Sequence, residues 1–319
     1  MGHDGARRSC IIRSGVTPRP TAARPLFQPD NPLRGIALSA GACAVFAVAD
    51  TTSKYLSTSL PIIEIQWIRY VLFLGMAATL AASAPGRPLR PRNPKLQIVR
   101  GLCVTGSSVL FVYGIREMTM AQATTISFLS PLLITLLSIP LLGEIVGIRR
   151  WAAVMAGMLG MLIVVRPGTT GFQPAALFGV ASSSCWALAL IITRKIAASD
   201  EPRTTILWSA LVGAVVLTIL LPFEARWPTW WQLSLCLALG VASSAGQWLV
   251  VLAHRLAPAS VLAPISYTQL PWVTIGGFLV FNNLPDRWTL VGATIIIGSG
   301  LYTAHRERVR AKEARGVIA

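Results

Sequence analysis

The stretch MTMAQATTISFLSPLLITLLSIPLLG, from Met118 to Gly143, decides how this chain is to be read, because its 26 residues include no Asp, Glu, Lys or Arg. Charged side chains are costly at a bilayer centre and about 20 apolar residues cross its hydrocarbon, so the stretch predicts a membrane-spanning helix. It also has a double. A shift of 139 residues lays Ile126, Ser127 and Phe128 over Ile265, Ser266 and Tyr267, inside a second uncharged run from Leu256 to Pro285.

Working outward, other segments echo at nearly the same distance. Gly101 and Arg116 fall on Gly240 and Arg255 at 139 residues, and Phe46, Ala47 and Lys54 fall on Trp186, Ala187 and Arg194 at 140. Pro61, Ile65 and Trp67 fall on Pro202, Ile206 and Trp208 at 141. Matches in register across four helices predict two related halves, 34–166 and 173–305, preceded by a disordered basic tail (1–33) and followed by a second basic tail (306–319).

Composition agrees. With 319 residues, 54% of them hydrophobic and 13% charged, and a mean hydropathy of +0.62, the chain is too apolar for a solvated surface and reads as an all-α integral membrane protein. Ten transmembrane helices are expected, near 34–56, 61–83, 96–115, 119–142, 148–166, 173–196, 203–222, 230–253, 257–281 and 287–305. Five spans per half is an odd number, so the two halves must enter the membrane from opposite sides, as inverted repeats. Lys and Arg divide 22 to 5 between the two sides, with Arg69 inside a span. The positive-inside rule then puts both termini in the cytoplasm of a bacterium whose inner membrane holds the protein.

The same distribution accounts for the net charge of +16. The basic residues sit at span ends and in tails, where anionic lipid headgroups are their natural partner, and no nucleic-acid-binding module accompanies them. The five cysteines form no CxxC pair or metal-ligand spacing, so no metal and no cofactor are expected. No GxxxxGK[ST] loop is present.

The run Ser130, Pro131, Leu132, then Leu142, Gly143, Glu144, Arg150, Trp151 and Gly157, with its echo from Phe281 to Trp288, resembles the EamA repeat of the drug/metabolite transporter superfamily. Asp50, Ser53 to Leu56, Glu64, Arg69, Arg100, Gly101, Leu284 to Asp286, Thr289 and Leu290 are most similar to the S-adenosylmethionine uptake carriers. One departure stands out: Asn282 and Asn283 occupy the place of Gly-Glu in many second repeats, so the half with Glu144 is expected to be the more firmly anchored. The resemblance implies a secondary carrier of a small metabolite, with a central cavity between the halves; a homodimer is compatible with it. A membrane-embedded enzyme or a non-transporting scaffold is the alternative. His3 lies in the tail, and His254 and His305 lie at span ends, so no His is placed for catalysis with a buried nucleophile.

Polar groups inside hydrocarbon mark a cavity or an interhelical contact. Ser182 to Ser184 and Ser243 to Gly246 are small enough to be packing surfaces. The candidates for cavity lining are Asp50, Ser127, Trp186, Gln247, Tyr267 and Gln269; for the large side chains among them, packing is the competing reading. Pro131 and Pro271 each remove a backbone donor within an expected span, which predicts kinks, either flexing points or static bends. Asp50, Lys54, Glu64 and Arg69 are the compact set of membrane charges. Their depths in antiparallel neighbouring spans predict an Asp50–Arg69 pair beneath a Lys54–Glu64 pair, either a gate or a structural device.

Overall fold

The structure is a computed structural model that describes residues 32–82, 90–142, 148–169, 173–196, 199–224, 226–257 and 262–316. The amino-terminal tail and the Gly143–Glu144 anchor expected from the sequence lie outside these residues. Among the described residues the regular structure is entirely helical. In chain order the helices are α1 (Pro32–Ser57), α2 (Ile62–Ala82), α3 (Pro94–Glu117), α4 (Met120–Ser127), α5 (Ser130–Leu142), α6 (Ile148–Val165), α7 (Ala176–Ile196), α8 (Pro202–Leu220), α9 (Trp230–Leu256), α10 (Gln269–Phe281) and α11 (Arg287–Gly316). Short 3-10 turns cover Leu221–Phe223 and Ala263–Thr268.

Local chemistry sets the helix starts. Proline stands in the first turn of α3 and α8, where its missing N–H would find no intrahelical acceptor. Thr119 and Thr229 build reciprocal capping boxes with Gln122 and Gln232, satisfying two orphan donors each at the starts of α4 and α9. At its far end α10 closes on Asn282 in the left-handed conformation (φ 53°), a position that accepts Gly or Asn. Asn282 therefore does the backbone work of the Gly that many relatives carry there.

By length and composition, seven helical segments can cross a membrane: Leu33–Ser57, Ile62–Thr79, Pro94–Glu117, Met120–Leu141, Ala176–Ile196, Arg203–Phe223 and Trp230–Val250. Trp151–Val165 is a shorter apolar helix. Two expected features are corrected. The carboxyl-terminal basic segment is not separate from the last expected span, since α11 runs unbroken to Gly316. Residues 304–315, rich in Ala, Arg, Glu and Lys, are strong helix formers, and Gly316 ends them.

Pro131 and Pro271 do not kink continuous helices either; each stands in the first turn of a new segment, behind an interruption. The first interruption is at Phe128–Leu129 and the second is the 3-10 turn Ala263–Thr268, which includes position 267, 139 residues beyond Phe128. The carbonyl of Ser127, which Pro131 cannot serve, accepts a hydrogen bond from Ser130 Oγ at 2.7 Å.

Helices from the first half of the chain pack chiefly on helices from the second. α1 lies against α9 and α10, α2 against α8 and α9, α3 against α7 and α8, α4 against α10, and α6 against α11. The main apolar core joins Ile62, Ile115, Met120, Ile126, Leu129, Val164, Val273 and Ile296, and so ties α2, α3, α4, α6, α10 and α11 at one end of the bundle.

Candidate functional site

A cavity of about 450 Å³ opens where these cross-packed helices meet. Sites for small molecules occupy roughly 300–1,000 Å³, so the space suits a metabolite. All six cavity candidates from the sequence, Asp50, Ser127, Trp186, Gln247, Tyr267 and Gln269, line it, together with Arg69 and Pro131. Lys54, Glu64 and Pro271 are not among its lining residues.

The first wall is built by α1 and α10. Asp50 Oδ2 accepts a hydrogen bond from Gln269 Nε2 at 3.0 Å. Gln269 is the first residue of α10, so the interruption before it presents its side chain to α1. Beside it the ring of Tyr267 meets the ring of Phe128 edge to face, with centroids 4.9 Å apart. These aromatic residues stand 139 positions apart and touch across the cavity margin.

The second wall is built by α2 and α3. Arg69 Nη1 donates to Ser108 Oγ at 3.1 Å and to Gln66 Oε1 at 3.4 Å. Gln66, itself fully buried, donates from Nε2 to the Ser108 carbonyl at 3.0 Å and so fixes this corner. Small hydroxyls close the third wall: Ser182 Oγ donates to the Ser107 carbonyl at 2.7 Å and Ser183 Oγ to the Ile126 carbonyl at 3.1 Å. These serines serve packing and cavity lining at once. A Cβ at Gly246 would come within 2.8 Å of the Phe46 ring, so this glycine is what lets α9 approach α1 beside the cavity.

Both expected ion pairs are corrected. Among the described residues Asp50 makes no ion pair with Arg69, although both line the same cavity; each is held by neutral groups of another helix. Lys54, only 6% exposed, donates from Nζ to the Met118 carbonyl and lies 5.1 Å from the centre of the Phe281 ring. Glu64, 4% exposed, accepts from the backbone N–H of Arg226 at 3.0 Å. The depth argument matched these charges to each other and overlooked the unpaired backbone groups at helix ends, which attract a cation to a carboxyl terminus.

Sequence reading missed Tyr70, Phe46, Phe73 and Phe111, which also line the cavity. Aromatic residues in apolar helices carry no signal that separates cavity wall from lipid face. It missed Gln66 too; a glutamine one turn before the only mid-span arginine was the available clue.

Comparison with known proteins places this geometry. The model of the EamA-like transporter family matches residues 33–166 and again 173–303. The S-adenosylmethionine uptake transporter of Rickettsia bellii (strain RML369-C) is 29% identical over 262 residues, which are 81% of this chain and 89% of that protein. The riboflavin transporter of Rhizobium johnstonii is 28% identical over 228 residues, covering 70% of this chain and 75% of its own. A solved crystal structure superposes with a TM-score of 0.60 at 18% identity, over 86% of this chain and 96% of that one, a likeness of fold.

Proposed function

We propose, from the premise that the chain belongs to the EamA-like transporter family, that it is a secondary carrier of a small polar or amphipathic metabolite. It works by alternating access across a bacterial inner membrane, driven by a gradient or by exchange. Its architecture is ten transmembrane helices in two inverted five-helix repeats, with both termini in the cytoplasm. The pairing of first-half with second-half helices supports this layout, because exchanging the halves turns each principal contact into another of the set. The interruptions ahead of Pro131 and Pro271 are the flexing points, one from each repeat.

The observation that carries the reading is the cavity itself: it lies between the halves, is lined from both, and holds Asp50 and Arg69 without joining them. Buried charges of this kind are expensive to a structural bundle and useful to a carrier. The names of the relatives make S-adenosylmethionine the first substrate to try and riboflavin the second.

The test is uptake and efflux of both compounds, labelled, in liposomes holding the purified full chain. Movement of either, saturable and independent of ATP, is expected. A chain that moves neither compound nor any member of a wider metabolite panel, while chemically altering lipid, would be an enzyme instead.

A further inference from the structure

We propose that the cavity is polarised for a zwitterion, Asp50 receiving the cationic end of the substrate and Arg69 its anionic end. This rests on the carrier reading above and adds to it the charge pattern of the cargo: an ammonium and a carboxylate on one small molecule with a flat apolar body.

Three observations converge. A carboxylate and a guanidinium in one cavity in the membrane would ordinarily offset their burial by meeting each other. Here each is held in place by neutral partners only: Asp50 by the Gln269 amide, Arg69 by Ser108 and Gln66. An amide and a hydroxyl orient a charge without neutralising it. Arg69 commits only Nη1 to these bonds, which leaves Nε and Nη2 able to grip a carboxylate through two parallel hydrogen bonds. Asp50 commits Oδ2 and keeps Oδ1 for an ammonium.

The second observation is a pair of orphan hydroxyls. Thr124 Oγ1 and Ser243 Oγ line the same cavity, are 2% and 8% exposed as residues, and have no hydrogen-bond partner among the described residues. Buried polar atoms without partners are rare in folded proteins and mark places where a ligand supplies the partner. Third, the remaining walls are aromatic. Phe46, Phe73, Phe111, Phe128, Trp186 and Tyr267 surround the space between the two poles and suit a planar body.

The arrangement also spans helices. Asp50 stands on α1 and is tied to α10; Arg69 stands on α2 and is tied to α3. A zwitterion laid between them supplies the missing counter-charge to both and joins two helix sets that the protein leaves electrostatically unjoined.

The experiment measures binding to the purified full chain in detergent with two series of probes. One is L-phenylalanine, phenethylamine and 3-phenylpropanoate; the other is S-adenosylmethionine and its decarboxylated analogue. Within each series the compound with both poles should bind at least about tenfold tighter than any analogue that lacks one, the usual scale of a charge-assisted contact. Arg69→Gln should erase the preference over the decarboxylated forms alone. Asp50→Asn should erase the preference over 3-phenylpropanoate alone. If single-pole analogues bind as tightly as the zwitterions, or if both variants weaken every probe equally, the assignment of poles is wrong. Absence of binding by every zwitterion overturns it as well; riboflavin uptake in liposomes would then leave the carrier reading standing.

Discussion

At the ends of the helices, ionised side chains have fixed partners; in the cavity they do not. Arg166, in the left-handed conformation (φ 51°) just past α6, bridges to Asp286 at 2.7 Å, and Asp286 caps α11 through the N–H of Thr289 at 3.0 Å. At another helix junction Asp200 accepts from the Arg92 N–H at 2.9 Å and from Gln97 Nε2 at 2.7 Å. Arg100 reaches Thr193 Oγ1 at 2.6 Å, the Thr205 carbonyl at 3.2 Å and the hydroxyl of Ser209. These contacts tie α6 to α11 and α3 to α7 and α8. Asp50 and Arg69 have the same chemistry but meet only an amide and hydroxyls, so their charge remains available. Contact geometry, rather than residue type, separates a fastening from a site.

The largest effect expected from breaking this contrast is on the cavity charges. Exchanging them, Asp50→Arg with Arg69→Asp, should leave membrane abundance near normal and lower transport by more than about tenfold, since each charge loses the neutral group that positions it. Full transport with full abundance in the exchanged protein would make the two residues a structural pair. Next comes Gln269→Leu, which keeps the volume and removes the hydrogen bond to Asp50. It should raise KM about fivefold to tenfold, the worth of one hydrogen bond to a charged group, with abundance unchanged. Unaltered kinetics would return Gln269 to packing.

How much of this was legible in the sequence follows from the kind of signal each feature leaves. Uncharged runs and repeat spacing reveal helices and their relation, because the bilayer penalises charge at every residue of a span. Asp50, Tyr267 and Gln269 stood out because a large polar group in such a run is anomalous. Their partners did not. Matching depths suggested Asp50 with Arg69 and Lys54 with Glu64, but the partners that hold them are a side chain 219 residues away on α10, a hydroxyl on α3, the Met118 carbonyl and the Arg226 N–H. Long-range packing decides those, and backbone groups are invisible to any reading by residue type. The interruptions before Pro131 and Pro271 were visible as prolines, yet their place one turn earlier depends on how α4 and α10 meet.

The smallest expected effect is at the rim. Burial alone would raise the Asp286 carboxyl, but its bonds from Thr289 and the Arg166 guanidinium outweigh that and hold it below the usual carboxylate range. Its contribution is therefore present above the ordinary carboxylate pKa and is lost only as pH falls below it, through the depressed value. Asp286→Ala should cost about 1 kcal/mol from the lost cap and little more from a solvent-screened ion pair, a fall of a few degrees at most in melting temperature. The fall should be the same at pH 6 and pH 8, with the KM for transport unchanged. A change in KM without a change in melting temperature would move Asp286 from fastening to site.

The central claim, a cavity reached in turn from both sides of the membrane, is tested most directly by thiol accessibility. Ser127→Cys, placed in the cavity wall of a chain whose own five cysteines are replaced, is exposed to a membrane-impermeant maleimide in right-side-out and in inverted vesicles. The account predicts labelling from both faces and slower labelling when a transported substrate saturates the site. Labelling from one face only, at a rate no substrate alters, would contradict it.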